Sequence, residues 1–82
     1  MITETINRAI LDVLSQCSGY PLKEKSLFNQ VNIELDAMAV STPELKEHLQ
    51  YCKGKDWIDY EHDDMSGQDK WFITARGKVA RS

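Results

Sequence analysis

A chain of 82 residues, 41% hydrophobic and 28% charged, is too apolar for disorder and has room for one core only, so a single domain over residues 1–82 is expected. Its formal net charge of −3 at pH 7 argues against a general polyanion binder, since nonspecific nucleic-acid affinity comes mainly from phosphate neutralisation by Lys and Arg. No apolar run approaches the roughly 20 residues that span a bilayer, and MITETINRAI lacks the basic region and apolar core of a secretory signal. A cytoplasmic location with no membrane partner is expected.

Taken in order, Thr3 can cap a first helix running to about Cys17, with Ile6, Ala9, Ile10, Val13, Leu14 and Cys17 on one buried face. Ser18-Gly19 stops it. Tyr20-Pro21-Leu22 is extended, because the residue before a proline is pushed out of the helical region. A second helix covers about Lys23 to Met38, with Leu27, Phe28, Val31, Leu35 and Met38 as its stripe. It starts without a Ser, Thr or Asp cap.

The clearest signals lie in Val40 to Ile58. Thr42 is expected as N-cap, Pro43 suits the first helical position, and Glu44 suits the positive end of the helix dipole. Leu45, Leu49 and Cys52 form the buried stripe of a helix over about 42–53, leaving Lys46, Glu47, Gln50 and Lys53 mainly outward. Gly54 is expected to close it in the left-handed conformation. Two strands follow, roughly Trp57 to Glu61 and Lys70 to Thr74, with period-two alternation and a long loop from His62 to Asp69. Trp57 and Trp71 are expected to stack across this hairpin, and Phe72, on the other strand face, to be exposed. Thr74 can cap a short final turn that Gly77 weakens.

The turn at Val40-Ser41, the helix after it and the strand at Trp57 resemble the turn, recognition helix and first wing strand of a winged helix-turn-helix domain. Trp71-Phe72-Ile73-Thr74-Ala75-Arg76-Gly77 is similar to the close of the second wing strand in that superfamily. The resemblance implies an α+β fold, three helices with a small antiparallel β-hairpin wing, and a short edge strand at Leu22 pairing with the hairpin. The turn between the second and third helices carries Ala37, Met38 and Ala39 where glycine is common.

The resemblance also implies a site. Ser41, Thr42, Glu44, Lys46, Glu47 and Gln50 match positions that reach bases or phosphates in related domains. Gln50 can bind adenine through two hydrogen bonds and Lys46 can reach guanine or phosphate, whereas Glu47 stands where many relatives carry arginine. Phosphate contacts would come from Lys53, Arg76, Lys78 and Arg81. The wing opposes such a role: Asp59, Glu61, Asp63, Asp64 and Asp69 surround a loop whose one cation is His62.

Other chemistry is weakly signalled. Asp59-x-Glu61-x-Asp63 lacks the central glycine and distal glutamate of a calcium loop. His48 and Cys52, four apart, could chelate zinc with Cys17 or His62, but no Cys-x-x-Cys or His-x-x-x-His pair accompanies them, and reduced, partly buried cysteines are expected. Neither a phosphate-cradling glycine loop nor a nucleophile motif is present, so no enzyme activity and no cofactor or metal are expected. Two functions remain. One is a small DNA-binding transcriptional regulator reading duplex DNA with Ser41, Thr42, Lys46 and Gln50. The other is a protein-interaction module using the acidic wing at Asp63 and Asp64, or the aromatic edge at Phe72. A homodimer through the first helix is compatible with either.

Overall fold

The computed structural model describes residues 2–17, 20–35 and 40–81. In chain order these form α1 (Ile2–Gln16), β1 (Leu22–Lys23), α2 (Glu24–Leu35), α3 (Thr42–Gly54), β2 (Ile58–Asp63), β3 (Gln68–Ile73) and α4 (Ala75–Arg81). The three strands make one antiparallel sheet in the order β1-β3-β2. The expected α+β architecture is therefore present, and the short final turn expected after Thr74 is a seven-residue helix.

The apolar stripe of α1 is buried as its spacing predicts, through Ile6, Ala9, Ile10, Val13 and Leu14. Leu11 is buried as well, because α1 packs on α2 and α3 with one side and on α4 with another. Thr3 lies inside α1 rather than capping it. Leu27, Val31 and Leu35 of α2 meet this face, with Phe28 partly buried beside them. The missing cap of α2 has a simple reason: Lys23 belongs to β1, opposite Lys70, and the chain passes directly from strand to helix. The expectations for Ser18-Gly19, for Met38 and for the turn at Ala37–Ala39 lie outside the described residues.

Entry into α3 is fixed twice. The Asn32 side-chain carbonyl accepts the Val40 N–H at 2.7 Å, tying the entry to α2. Ser41, not Thr42, is the N-cap: it is extended, and its hydroxyl oxygen accepts the Glu44 N–H at 3.4 Å. The hydroxyl in turn donates to the Glu44 carboxylate at 3.1 Å, so the Ser41 and Glu44 side chains hold each other across the first turn, with Thr42 and Pro43 between them. The close of α3 also shifts. Gly54 is its last helical residue, and the left-handed conformation falls on Asp56, at φ 62°. Trp57 N–H bonds Cys52 O at 3.1 Å and Asp56 N–H bonds Lys53 O at 2.9 Å, the paired bonds of a left-handed helix close. Aspartate adopts that conformation more readily than most residues because its short polar side chain can hydrogen-bond locally.

The hairpin is longer than its hydrophobic pattern suggests, running from Ile58↔Ile73 to Asp63↔Gln68 with four residues between the strands. Asp63 organises the turn. Its carboxylate accepts the Met65 N–H at 3.1 Å and the Ser66 hydroxyl at 2.9 Å, while its carbonyl accepts the Gly67 N–H at 2.7 Å. Gly67 supplies the required positive φ of 70°. The register also separates the tryptophans. Trp57 precedes β2, on the alternation opposite to Ile58, and its ring meets Tyr51 edge-on at 6.1 Å. Trp71 stands opposite Tyr60 and Leu22, with ring centroids 5.0 Å apart from Tyr60. The expected Trp57–Trp71 stack is replaced by two Tyr–Trp pairs.

The base of the hairpin is locked by Thr74 and Gly77. The Thr74 hydroxyl donates to the Asp56 carbonyl and accepts the Gly77 N–H at 3.1 Å, and the Thr74 N–H bonds Trp57 O at 2.9 Å. A Cβ on Gly77 would lie 2.0 Å from Trp57 O, so Gly77 is demanded by the close approach of α4 to this carbonyl. Its cost to helix propensity is secondary.

Candidate nucleic-acid interface

The outer face of α3 presents Thr42, Lys46 and Gln50, all exposed and one turn apart, while Leu45, Leu49 and Cys52 hold the inner face in the core. Two shallow grooves flank this stripe. The first, of about 420 Å³, runs between the starts of α2 and α3 and the hairpin tip, with Lys25, Phe28, Thr42, Lys46, His62 and Asp69 among its walls. The second lies between α3 and β3, with Glu24, Lys46, Leu49, Gln50, Asp69 and Trp71. Trp71 is buried, and its indole Nε1–H has no acceptor among the described residues.

Lys46 borders both grooves in the company of Glu24 and Asp69, yet makes no ion pair among the described residues. It is the available cation of the stripe. Ser41 is adjacent, but its hydroxyl is occupied by the cap. Lys53, half-buried at the end of α3, lies over the Tyr60 ring with Nζ 5.5 Å from the centroid, and Lys55 lies over Tyr51 at 5.6 Å.

The remaining basic residues are dispersed. Arg76 pairs with Asp56 at 3.6 Å on the surface, and Lys78 is exposed on α4. Arg81 turns toward α1, where Nε donates to Asp12 Oδ1 at 2.7 Å, and it lines a different groove with Leu11, Tyr51 and Trp57. Of the eight residues expected to meet DNA, Ser41, Thr42, Lys46 and Gln50 come together on α3 with Lys53 at its end; Arg76, Lys78 and Arg81 sit on α4. Lys25 was not anticipated from the sequence; the fold brings it beside Lys46 across the first groove.

The hairpin tip keeps its acidic character, partly neutralised from within. His62 Nδ1 contacts Asp69 at 2.9 Å and Nε2 approaches Asp64 at 3.7 Å, while Lys70 approaches Asp63 at 3.6 Å. The Asp63 carboxyl titrates below its ordinary value of 3.8, held ionised first by the Ser66 hydroxyl and then by the Met65 N–H. Asp64 is almost fully exposed. Phe72 is half-buried on the sheet face opposite Trp71, beside Asp59 in register.

His48 and Cys52 do converge, but on an amide: Asn7 Oδ1 accepts from His48 Nδ1 at 3.0 Å and from the Cys52 thiol at 3.7 Å. Burial pushes the Cys52 thiol up to about 12, so it stays protonated. Among the described residues no three His, Cys, Asp or Glu side chains are grouped to hold a metal ion, and no helix is long and apolar enough to cross a membrane.

No family model matches the chain, and no curated protein matches it. Among solved structures, the crystal structure of a MarR-family transcriptional regulator from Silicibacter pomeroyi superposes with a TM-score of 0.73 over 94% of this chain at 19% identity. The fold is a winged helix. This chain spans 46% of the length of that regulator. In winged-helix terms α3 is the third helix, the β2–β3 hairpin is the wing, and β1 is the edge strand implied at Leu22.

Proposed function

We propose that the chain is a winged-helix DNA-binding module of a transcriptional regulator, reading duplex DNA with the outer face of α3. The observation that carries this reading is the Thr42–Lys46–Gln50 stripe: three exposed side chains at successive turns, none used in the hydrogen-bond or ion-pair network among the described residues. Residues four apart on a helix rise about 6 Å, which spans roughly two base steps along a major groove about 12 Å wide. Gln50 supplies paired donor and acceptor for adenine, Lys46 donates to guanine or phosphate, and the Thr42 methyl suits thymine. Lys25, Lys53 and Lys55 flank the helix and supply phosphate contacts, whereas the acidic wing stays off the backbone.

The test is a fluorescence-anisotropy titration of labelled mixed-sequence duplex at several salt concentrations. Binding that weakens steeply with salt, and is abolished by Lys46→Glu, supports the reading. Binding insensitive to both overturns it. A second reading, a protein-interaction module, is favoured by the wing, where Asp63 and Asp64 lie at the end of β2, an edge strand of the sheet among the described residues, and Phe72 lies on the outer sheet face. It expects Lys46→Glu to be tolerated and charge reversal at Asp64 to abolish partner binding.

A further inference from the structure

Asn7 is a buried polar residue in the helical core of the described structure, 7% exposed, beside Ile6 on the face of α1 that meets α3. Its acceptor takes two donors, His48 and Cys52, one turn apart on the inner side of α3. The rest of that inner side is Leu45 and Leu49. Leucine contacts between helices are non-directional, and a ridge of them tolerates rotation with modest repacking. Hydrogen bonds are directional, and a buried polar residue is best attested as a device that selects one register among similar ones.

We propose that Asn7 is a positioning residue that sets the rotation of α3 against α1, and thereby fixes Thr42, Lys46 and Gln50 as the outward stripe. The alternative settings are chemically different. Glu47 follows Lys46 by about 100° around the helix and is itself exposed, so even the small rotation that the leucines allow changes whether the lysine or the carboxylate leads on the outer face. Two donors at i and i+4 converging on one oxygen admit a single rotation and a single axial position. The register concerns the free protein; its consequence for recognition rests on the reading of α3 as the DNA-contacting helix.

The test compares wild type with Asn7→Leu, a substitution of similar volume, through residual dipolar couplings of the α1 and α3 amides in the free protein. The expected result is a folded domain with a thermal midpoint near that of wild type, whose α3 couplings no longer fit the wild-type orientation or whose α3 resonances split. Asn7→Asp, which keeps the acceptor oxygen, restores the wild-type couplings. Couplings that fit one unchanged orientation in Asn7→Leu overturn the proposal, even if the midpoint falls, because Asn7 then only fills space. Should Asn7→Leu fail to fold, His48→Leu combined with Cys52→Ala removes both donors from the other side, with the same criterion.

A second arm selects duplexes from a random library with wild type and Asn7→Leu. A wild-type consensus that is altered or lost in the variant is expected. A wild type that selects no sequence removes the DNA reading while the couplings still decide the register, and a consensus unchanged in the variant overturns the proposal.

Discussion

At the scale of single residues, the strongest constraints are close approaches and organised turns. Gly77→Ala forces a methyl group against Trp57 O and is expected to cost about 2–3 kcal/mol, lowering the thermal midpoint by on the order of 10 °C or more for a domain of this size. Calorimetry checks this, and a midpoint within a degree of wild type contradicts the packing described. Asp63 gives a pH-dependent prediction. Its folded pKa is depressed, so its contribution is present above 3.8 and is lost as pH falls through its lower folded value. Met65 and Ser66 amide shifts should therefore move together below pH 3.8, while α1 amides follow only on global unfolding. Cys52 is expected to resist alkylation at pH 8 because its thiol stays protonated and buried, whereas the half-buried Cys17 reacts first.

At the scale of elements, α3 is held by its ends as much as by its stripe. Ser41→Ala removes the cap, and about 1 kcal/mol of stability with it; faster hydrogen exchange confined to the first turn of α3 is the expected signature. The existence and face of α1, α2 and α3 were legible because leucine and isoleucine spacing states which side is buried. The ends were not. Ser41 and Thr42 are both good caps in isolation, and only the chain entering from Asn32 and Val40 decides between them. Gly54 looked like the helix close by residue type, but the bonds to Cys52 O and Lys53 O place the reversal at Asp56. Strand length was misjudged because Asp63 and Gln68 carry no hydrophobic signal; hydrogen bonding at the turn extends the ladder there. The outward placement of Lys46, Glu47 and Gln50 was legible from helix period, whereas Thr42 entered only through the resemblance to winged helix-turn-helix domains. The convergence of Asn7 on His48 and Cys52 joins residues 41 and 45 positions apart, so helix periodicity could not show it. The one trace was a polar residue beside Ile6 in an otherwise apolar face.

At the scale of the whole molecule, charge is unevenly spread. The wing tip gathers Asp63, Asp64 and Asp69, whereas Lys53, Lys55, Arg76 and Lys78 lie toward the end of α3 and the start of α4. A DNA duplex approaching α3 is repelled at one side and attracted at the other, so removing charge from the tip should strengthen binding. Asp64→Lys is the suitable change, since its carboxylate is nearly fully exposed and leaves the Asp63-organised turn intact. A several-fold gain in duplex affinity at low salt, shrinking as salt rises, is expected by anisotropy.

The central claim, that α3 reads DNA, is tested most directly by an amide chemical-shift titration of the labelled protein with a mixed-sequence duplex at low and then physiological salt. If α3 reads DNA, Thr42 to Lys53 shift together, Met65 and Ser66 stay in place, and added salt reverses the shifts. Shifts confined to the wing, or none at low salt, would contradict it.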